Sequence, residues 1–262
     1  MIVADQNWLL LATMALYIAG IGLWETVSPA YRQAEHQTAR RLANFSLAAL
    51  HLSLLLVLPL TQVTAAASAK AYGLGLLNQL ELPSVAVLGV TCILASLIAY
   101  LTHVILHKVP MFWRFHAVHH DDSEVDASTT LRHHPGEILL IASIQTPIVV
   151  LLGLDPAALV ILYTCEWLHG LFAHANIRLP KRIDVALGYI LVTPAIHAIH
   201  HSANREDADS NFGAMFSGWD RLFGTFRASA KAMPRPDGEA ESVGTASSLI
   251  MAVRTPLLAP LR

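Results

Sequence analysis

Five stretches of almost unbroken apolar residues, 8–24, 42–60, 85–102, 138–154 and 157–172, are separated by polar blocks. Each reaches or approaches the roughly 20 helical residues that cross the hydrocarbon core of a bilayer. The pattern predicts an all-α, multi-pass membrane bundle, because in hydrocarbon a helix satisfies its backbone donors and acceptors internally. No basic segment precedes the first stretch and no small-residue cleavage site follows it before "WETVSPAYR", so it reads as a retained span rather than a secretory signal. The last two are short and joined by "GLDP". They form either two spans or a re-entrant hairpin, and both versions leave their flanks on one side of the membrane. The expected total is about four or five spans.

The polar blocks carry their own signals. Segment 64–83, "TAAASAKAYGLGLLNQLELP", is rich in small residues and is expected on the outer face or tucked partly into the membrane. In "HVILHKVPMFWRFHAVHH" the helical periodicity is interrupted at Pro110, which predicts two helices meeting there, since proline forfeits a backbone donor and disfavours helix in the residue before it. A second polar block, 175–227, holds the helix-compatible "PAIHAIHHS". The division is therefore a membrane domain over 1–232 and a linker-like tail over 233–262, rich in Pro, Gly, Ser and charge.

Composition agrees with the membrane reading: 54% of the 262 residues are hydrophobic and 14% charged, with a mean hydropathy of +0.49. With the N-terminus outside, 16 of the 17 Lys and Arg residues fall on one face and only Lys70 on the other. The positive-inside rule assigns the basic face to the cytoplasm, so the charge reports orientation and not a nucleic-acid partner. Cys92 and Cys165 sit within apolar stretches, form no CxxC pair and read as packing residues. No repeat is visible.

The chemistry lies in the histidines. Of 14, 12 fall between His103 and His201. His103 and His107 are spaced i, i+4; His116, His119 and His120 are spaced i, i+3, i+4, and His197, His200 and His201 repeat that spacing. These offsets place the rings of each set on one helix face. His133, His134, His169 and His174 lie between the sets, and in the topology above all these blocks emerge at the cytoplasmic boundary. Buried imidazoles need polar partners, and ligation of a metal supplies them. Ten candidate ligands, His103, His107, His116, His119, His120, His134, His174, His197, His200 and His201, exceed what a tetrahedral or octahedral ion takes, so two ions are expected. His36 and His51 read as ordinary structural histidines.

Neither HExxH nor GxSxG occurs, so a zinc-protease helix and a serine nucleophile elbow are both absent. The apolar stretches are almost free of charge while the histidines gather at one rim, which favours a fixed site over a metal-transport path.

Together, "HVILH", "FHAVHH", "LRHHPGE", "HANI" and "HAIHH" resemble the fatty acid hydroxylase and sterol desaturase superfamily, membrane-bound non-haem di-iron oxygenases. The resemblance runs from about residue 100 to 226, is weaker in "RRLANFSL", and extends through "ADSNFGAMFSGWDRLFGTF". The chain departs from the family at Ser96, often acidic there, and at Val104, often arginine; both are read as tuning or helix-packing positions. The resemblance implies two iron ions, which zinc can replace on purification, and O₂ as co-substrate. It implies hydroxylation of a lipid (sterol, fatty acyl, ether lipid or terpenoid), with desaturation or C-4 methyl oxidation as the alternative on the same cage. Electrons would come from a reductase with a ferredoxin or cytochrome b5 type carrier, because the chain has no GxGxxG, flavin or haem motif. Lys108, Arg114, Arg178, Lys181 and Arg182 could dock an acidic carrier. The membrane would be the inner membrane in a bacterium and the endoplasmic reticulum in a eukaryote.

Residues near the boxes could orient the ligating rings: His133, His169, Glu137, Asn176 and Asp220, and beyond these Asp121, Asp122, Glu124 and Asp207. Glu137, after "RHHPG", is favoured, while Asp121 and Asp122 read as solvent-exposed charge. Trp113, Phe115 and Trp219 are expected to pack the cap or the interface.

Overall fold

The computed structural model describes residues 2–33, 37–57 and 61–228, and its regular elements are all helical. The 233–262 tail, His36 and the end of the 42–60 stretch lie outside the described residues. The chain opens with α1 (Ile2–Val27), α2 (Gln37–Val57) and the short α3 (Gln62–Ala71). There follow α4 (Ser84–Lys108), α5 (Pro110–His120), α6 (Pro135–Leu152) and α7 (Pro156–His174). Four short helices close it: α8 (Lys181–Gly188), α9 (Pro194–His200), α10 (Arg205–Ala208) and α11 (Gly218–Phe223).

Among the described residues, three helices are long and apolar enough to cross a membrane: α4, α6 and α7, of 25, 18 and 19 residues. At 1.5 Å per residue they run about 27 to 37 Å, the thickness of a hydrocarbon core. Among the described residues, Ala12–Val27 of α1 is a further, shorter apolar helix. Helix α2 gives its first half to polar contacts through Arg40, Arg41 and Asn44. Exposed apolar side chains such as Val85, Leu151 and Ile161 suit a lipid surround. The protein is an integral membrane protein.

Helices α6 and α7 form a hairpin that returns to the end from which it starts. Gly153, at φ +67, ends α6 in the left-handed conformation that glycine adopts without strain, and the Asp155 side chain caps α7 through the Ala157 and Ala158 amides, both at 3.0 Å. The segment 64–83 packs on this tip. The Lys70 ammonium pairs with Asp155, and the Leu76 amide donates to the Leu151 carbonyl at 3.0 Å. Gly75 is required there: its φ is +92, and a Cβ would lie 2.3 Å from the Val150 carbonyl oxygen. Behind the tip Ala66, Ala95, Ile98, Val149, Leu154, Leu159 and Leu162 form the main apolar core. The Thr91 hydroxyl accepts the Asp155 amide, so α4 runs beside the hairpin in the direction of α7.

The other end gathers the polar blocks. Helix α4 stops at Val109, and Pro110 opens α5 at its first turn, so the break falls where the sequence places it. A 3₁₀ turn, Ala127–Leu131, is capped by Asp126 and wedged among α2, α7 and the loop after α5. Glu25 of α1 accepts the Ala127 and Asn176 amides, and Ile21 packs on Ala175 and Ile177.

Candidate metal centre

Four sequence blocks bring histidines to this end. His103 and His107 come from the last turns of α4, His116, His119 and His120 from α5, His174 from the end of α7, and His197, His200 and His201 from α9 and its C-cap. They form two groups with ring nitrogens within 4.8 Å of one another: His103, His107, His116, His120 and His200, and His119, His174, His197 and His201. The groups touch, with the His120 and His201 rings stacked at 4.5 Å.

Six of the nine rings are held from behind through Nδ1, while the buried Nδ1 atoms of His197 and His201 have no hydrogen-bond partner. His103 donates to the Phe212 carbonyl and His200 to the Ser210 carbonyl, both at 2.7 Å; His174 donates to the Gly170 carbonyl at 2.8 Å and His119 to the Arg132 carbonyl at 3.2 Å. Carboxylates hold two more, Glu137 behind His116 at 2.8 Å and Asp209 behind His107 at 3.2 Å. An oxygen acceptor commits the ring proton to Nδ1 and leaves Nε2 as a lone pair. The inward Nε2 atoms face each other: His103 and His116 at 3.0 Å and His119 and His174 at 3.1 Å, with both lone pairs so committed, and also His107 and His120 at 3.1 Å and His174 and His197 at 2.9 Å. The buried Nε2 of His200 has no hydrogen-bond partner.

This donor set fits metal ions. Facing lone pairs without a proton repel, and a cation between them satisfies both. Two nitrogens bound to one ion at about 2.1 Å lie about 3 to 3.5 Å apart, close to the spacing seen here. Burial, reinforced by the neighbouring imidazoles, pushes His119, His120, His197 and His201 far below the ordinary histidine range; burial brings His200 down to about 3. Neutral imidazole is the form that ligates.

The tenth expected ligand, His134, stands in neither group. Its Nδ1 accepts the Gly136 amide at 2.8 Å and caps α6, a role set by its place immediately before Pro135. His133 stacks flat on His119 at 4.6 Å and donates to Glu137 at 3.2 Å. Burial alone would lower this imidazole, but the Glu137 carboxylate outweighs it and raises it. Glu137 thus receives two rings.

Other expected supports act elsewhere. His169 donates to the Val192 carbonyl at 2.9 Å and joins neither group. Asn176 accepts the Ala30 and Tyr31 amides and so pins the link between α1 and α2. Asp220 works one step back: it accepts the Phe212 and Gly213 amides, fixing the turn whose carbonyl holds His103. Asp207 pairs with Arg227, and Glu124 accepts from Gln37. Asp122 is buried, against the expectation of solvent exposure, because Arg40, Asn44 and Thr129 all donate to it; Asp121 is exposed. Ser96 accepts the Trp219 indole N–H. Of the basic residues, Lys108 is tied to Asp209 and Arg178 to the Ala30 carbonyl.

Sequence reasoning missed Asp209 and the carbonyls of Arg132, Gly170, Ser210 and Phe212. Asp209 sits within a polar loop with no helical register to the boxes, and backbone carbonyls carry no residue signal. A cavity of about 240 Å³, lined in part by Trp113, His120, Asp121, His201 and Arg205, reaches a ring of each group.

Comparison with known proteins places this architecture. The model of the fatty acid hydroxylase family matches residues 88–225. Human alkylglycerol monooxygenase is 29% identical over 129 residues, 49% of this chain and 28% of its own length. The ornithine lipid hydroxylase OlsE of Rhizobium tropici is 32% identical over 135 residues, 51% of this chain and 40% of its own length. A cholesterol 25-hydroxylase-like protein of Danio rerio is 28% identical over 127 residues, 48% of this chain and 49% of its own length. The chain thus spans half or less of each of these relatives, and no solved structure matches it. With the family's match covering more than half of the sequence and enclosing every histidine of the two groups, the chain belongs to the fatty acid hydroxylase family.

Proposed function

We infer that this protein is a membrane-bound di-iron oxygenase that hydroxylates a lipid, consuming O₂, two electrons and two protons to convert a C–H bond into an alcohol with release of water. The observation that carries this reading is the convergence of nine imidazoles, with lone pairs face to face, at one end of the membrane-length helices. His103, His107, His116, His120 and His200 would hold one iron, and His119, His174, His197 and His201 the other. Bound iron supplies the redox chemistry that activates O₂.

The chain's own residues do the rest. Glu137, Asp209 and the four carbonyls keep the ring protons on Nδ1 and the lone pairs inward. The apolar faces of α4, α6 and α7 keep water from the lipid. The cavity beside His120 and His201 gives oxygen and protons a route from solvent. A separate reductase with a ferredoxin or cytochrome b5 type carrier delivers electrons, and the positive-inside rule puts that docking side in the cytoplasm. The named relatives act on alkylglycerol and ornithine lipid, which supports a lipid substrate here.

The test is lipid mass spectrometry of cells expressing the wild type or His200→Ala under ¹⁸O₂. A wild-type-specific lipid gaining one ¹⁸O atom is expected. A product gaining only a double bond would replace hydroxylation by desaturation, and identical lipids in both strains would overturn the reading.

A further inference from the structure

Glu166 is an acidic residue placed where an apolar helix ordinarily has none. In the three membrane-length helices every other Asp, Glu, Lys or Arg lies at a rim: Lys108 at the end of α4 and Glu137 in the first turn of α6. Glu166 is mid-helix in α7, eight residues before His174, hence about 12 Å along the axis from the histidine groups.

Its face is the inward one. Leu159 and Leu162, seven and four residues earlier, are buried in the core with α4, and Ala173, seven residues later, is buried too. Gly170, four residues later, abuts Thr130. The lipid-facing side of the same helix is marked by exposed Val160, Ile161 and Trp167. Glu166 is nonetheless only half-buried, and among the described residues no hydrogen bond or ion pair reaches its carboxyl. Tyr163, one turn away and also half-buried, is its electrostatic neighbour, and its phenol likewise has no hydrogen bond among the described residues.

Two polar tips without partners beneath the histidines are costly in an apolar bundle, and ionisable groups inside membranes mark binding paths. We propose that Glu166, with Tyr163 beside it, hydrogen-bonds a hydroxyl of the lipid substrate, selecting a lipid whose hydroxyl lies about 12 Å from the carbon presented to the histidine groups. Glu166 is then a specificity-determining residue that touches substrate remote from the reaction. The inference rests on the lipid-oxidising reading for the meaning of that distance, but binding tests it separately.

The experiment offers the purified full chain in detergent an equimolar mixture of methyl 12-hydroxystearate and methyl stearate and quantifies retained lipid by mass spectrometry. The wild type should retain the hydroxy ester about fivefold over the plain one, the discrimination expected of one net hydrogen bond. Glu166→Gln, which still donates and accepts, should keep the preference, and Glu166→Leu should bring it near parity with unchanged metal content. Parity in the wild type, an undiminished preference in Glu166→Leu, or loss of metal from Glu166→Leu would each overturn the proposal. If no oxidised lipid forms in cells but the preference follows Glu166, the oxygenase reading falls and the binding assignment stands.

Discussion

His200 and His134 look alike in the sequence and differ in what surrounds them. His200 has its proton held by the Ser210 carbonyl and its Nε2 inward without a partner, whereas His134 spends its Nδ1 on the Gly136 amide. Replacing His200 with Ala should therefore lower bound iron from two ions per chain towards one and reduce lipid oxidation at least about a hundredfold. His134→Ala should retain two ions and instead lose about 1 kcal/mol of stability, the worth of a helix N-cap. Elemental analysis and thermal unfolding separate the two outcomes; a His134→Ala protein with one ion would return His134 to the ligand set. The converging histidines were legible because i, i+3, i+4 spacing is a helical signature. Their supports were not, since four of the six oxygens behind the rings belong to the backbone.

At the scale of elements, helix α2 and the loop after α5 are joined by charge. Arg40 bridges Asp122 and Asp126, and Arg41 also reaches Asp126. Burial alone would raise the Asp126 carboxyl, but Arg40, Ser128 and Arg41 outweigh it and hold it below the ordinary range. A carboxyl with a depressed folded value contributes its stability above the unfolded value of about 4 and loses it as pH falls through the depressed one. The unfolding midpoint should thus drop below about pH 4, and Asp126→Asn should lower it already at neutral pH while flattening that acid dependence. A midpoint with the same pH profile in both proteins would show that the pair does not hold the two elements together. Sequence periodicity found α2 as an apolar stretch and weakly marked "RRLANFSL". It did not reveal that Asp122 is buried there, because a carboxylate next to a helix end reads as solvated until its arginine is seen.

For the molecule as a whole, the histidine groups join the ends of α4, α5, α7 and α9, so binding of a metal there would be linked to folding of this end. An ion that binds the folded chain alone adds about 2.7 kcal/mol at a hundredfold excess over its dissociation constant. Iron-loaded protein should therefore unfold at a higher temperature than chelator-treated protein, with the difference lost in a variant lacking His119 and His200. An equal midpoint with and without iron would mean that the rings hold no ion.

The sequence by itself determined the all-helical membrane class, the break at Pro110 and the histidine-bearing segments that converge. Those properties are local: apolar length, a missing backbone donor and a 3.6-residue period each act within one stretch of chain. Only the tertiary structure decided how nine rings divide between two groups, that His134 caps a helix, that Asp209 and four carbonyls set the ring protons, and that Glu166 faces inward. Each of these depends on which residues from distant segments meet, and the burial that gives a polar group its role exists only after the helices have packed.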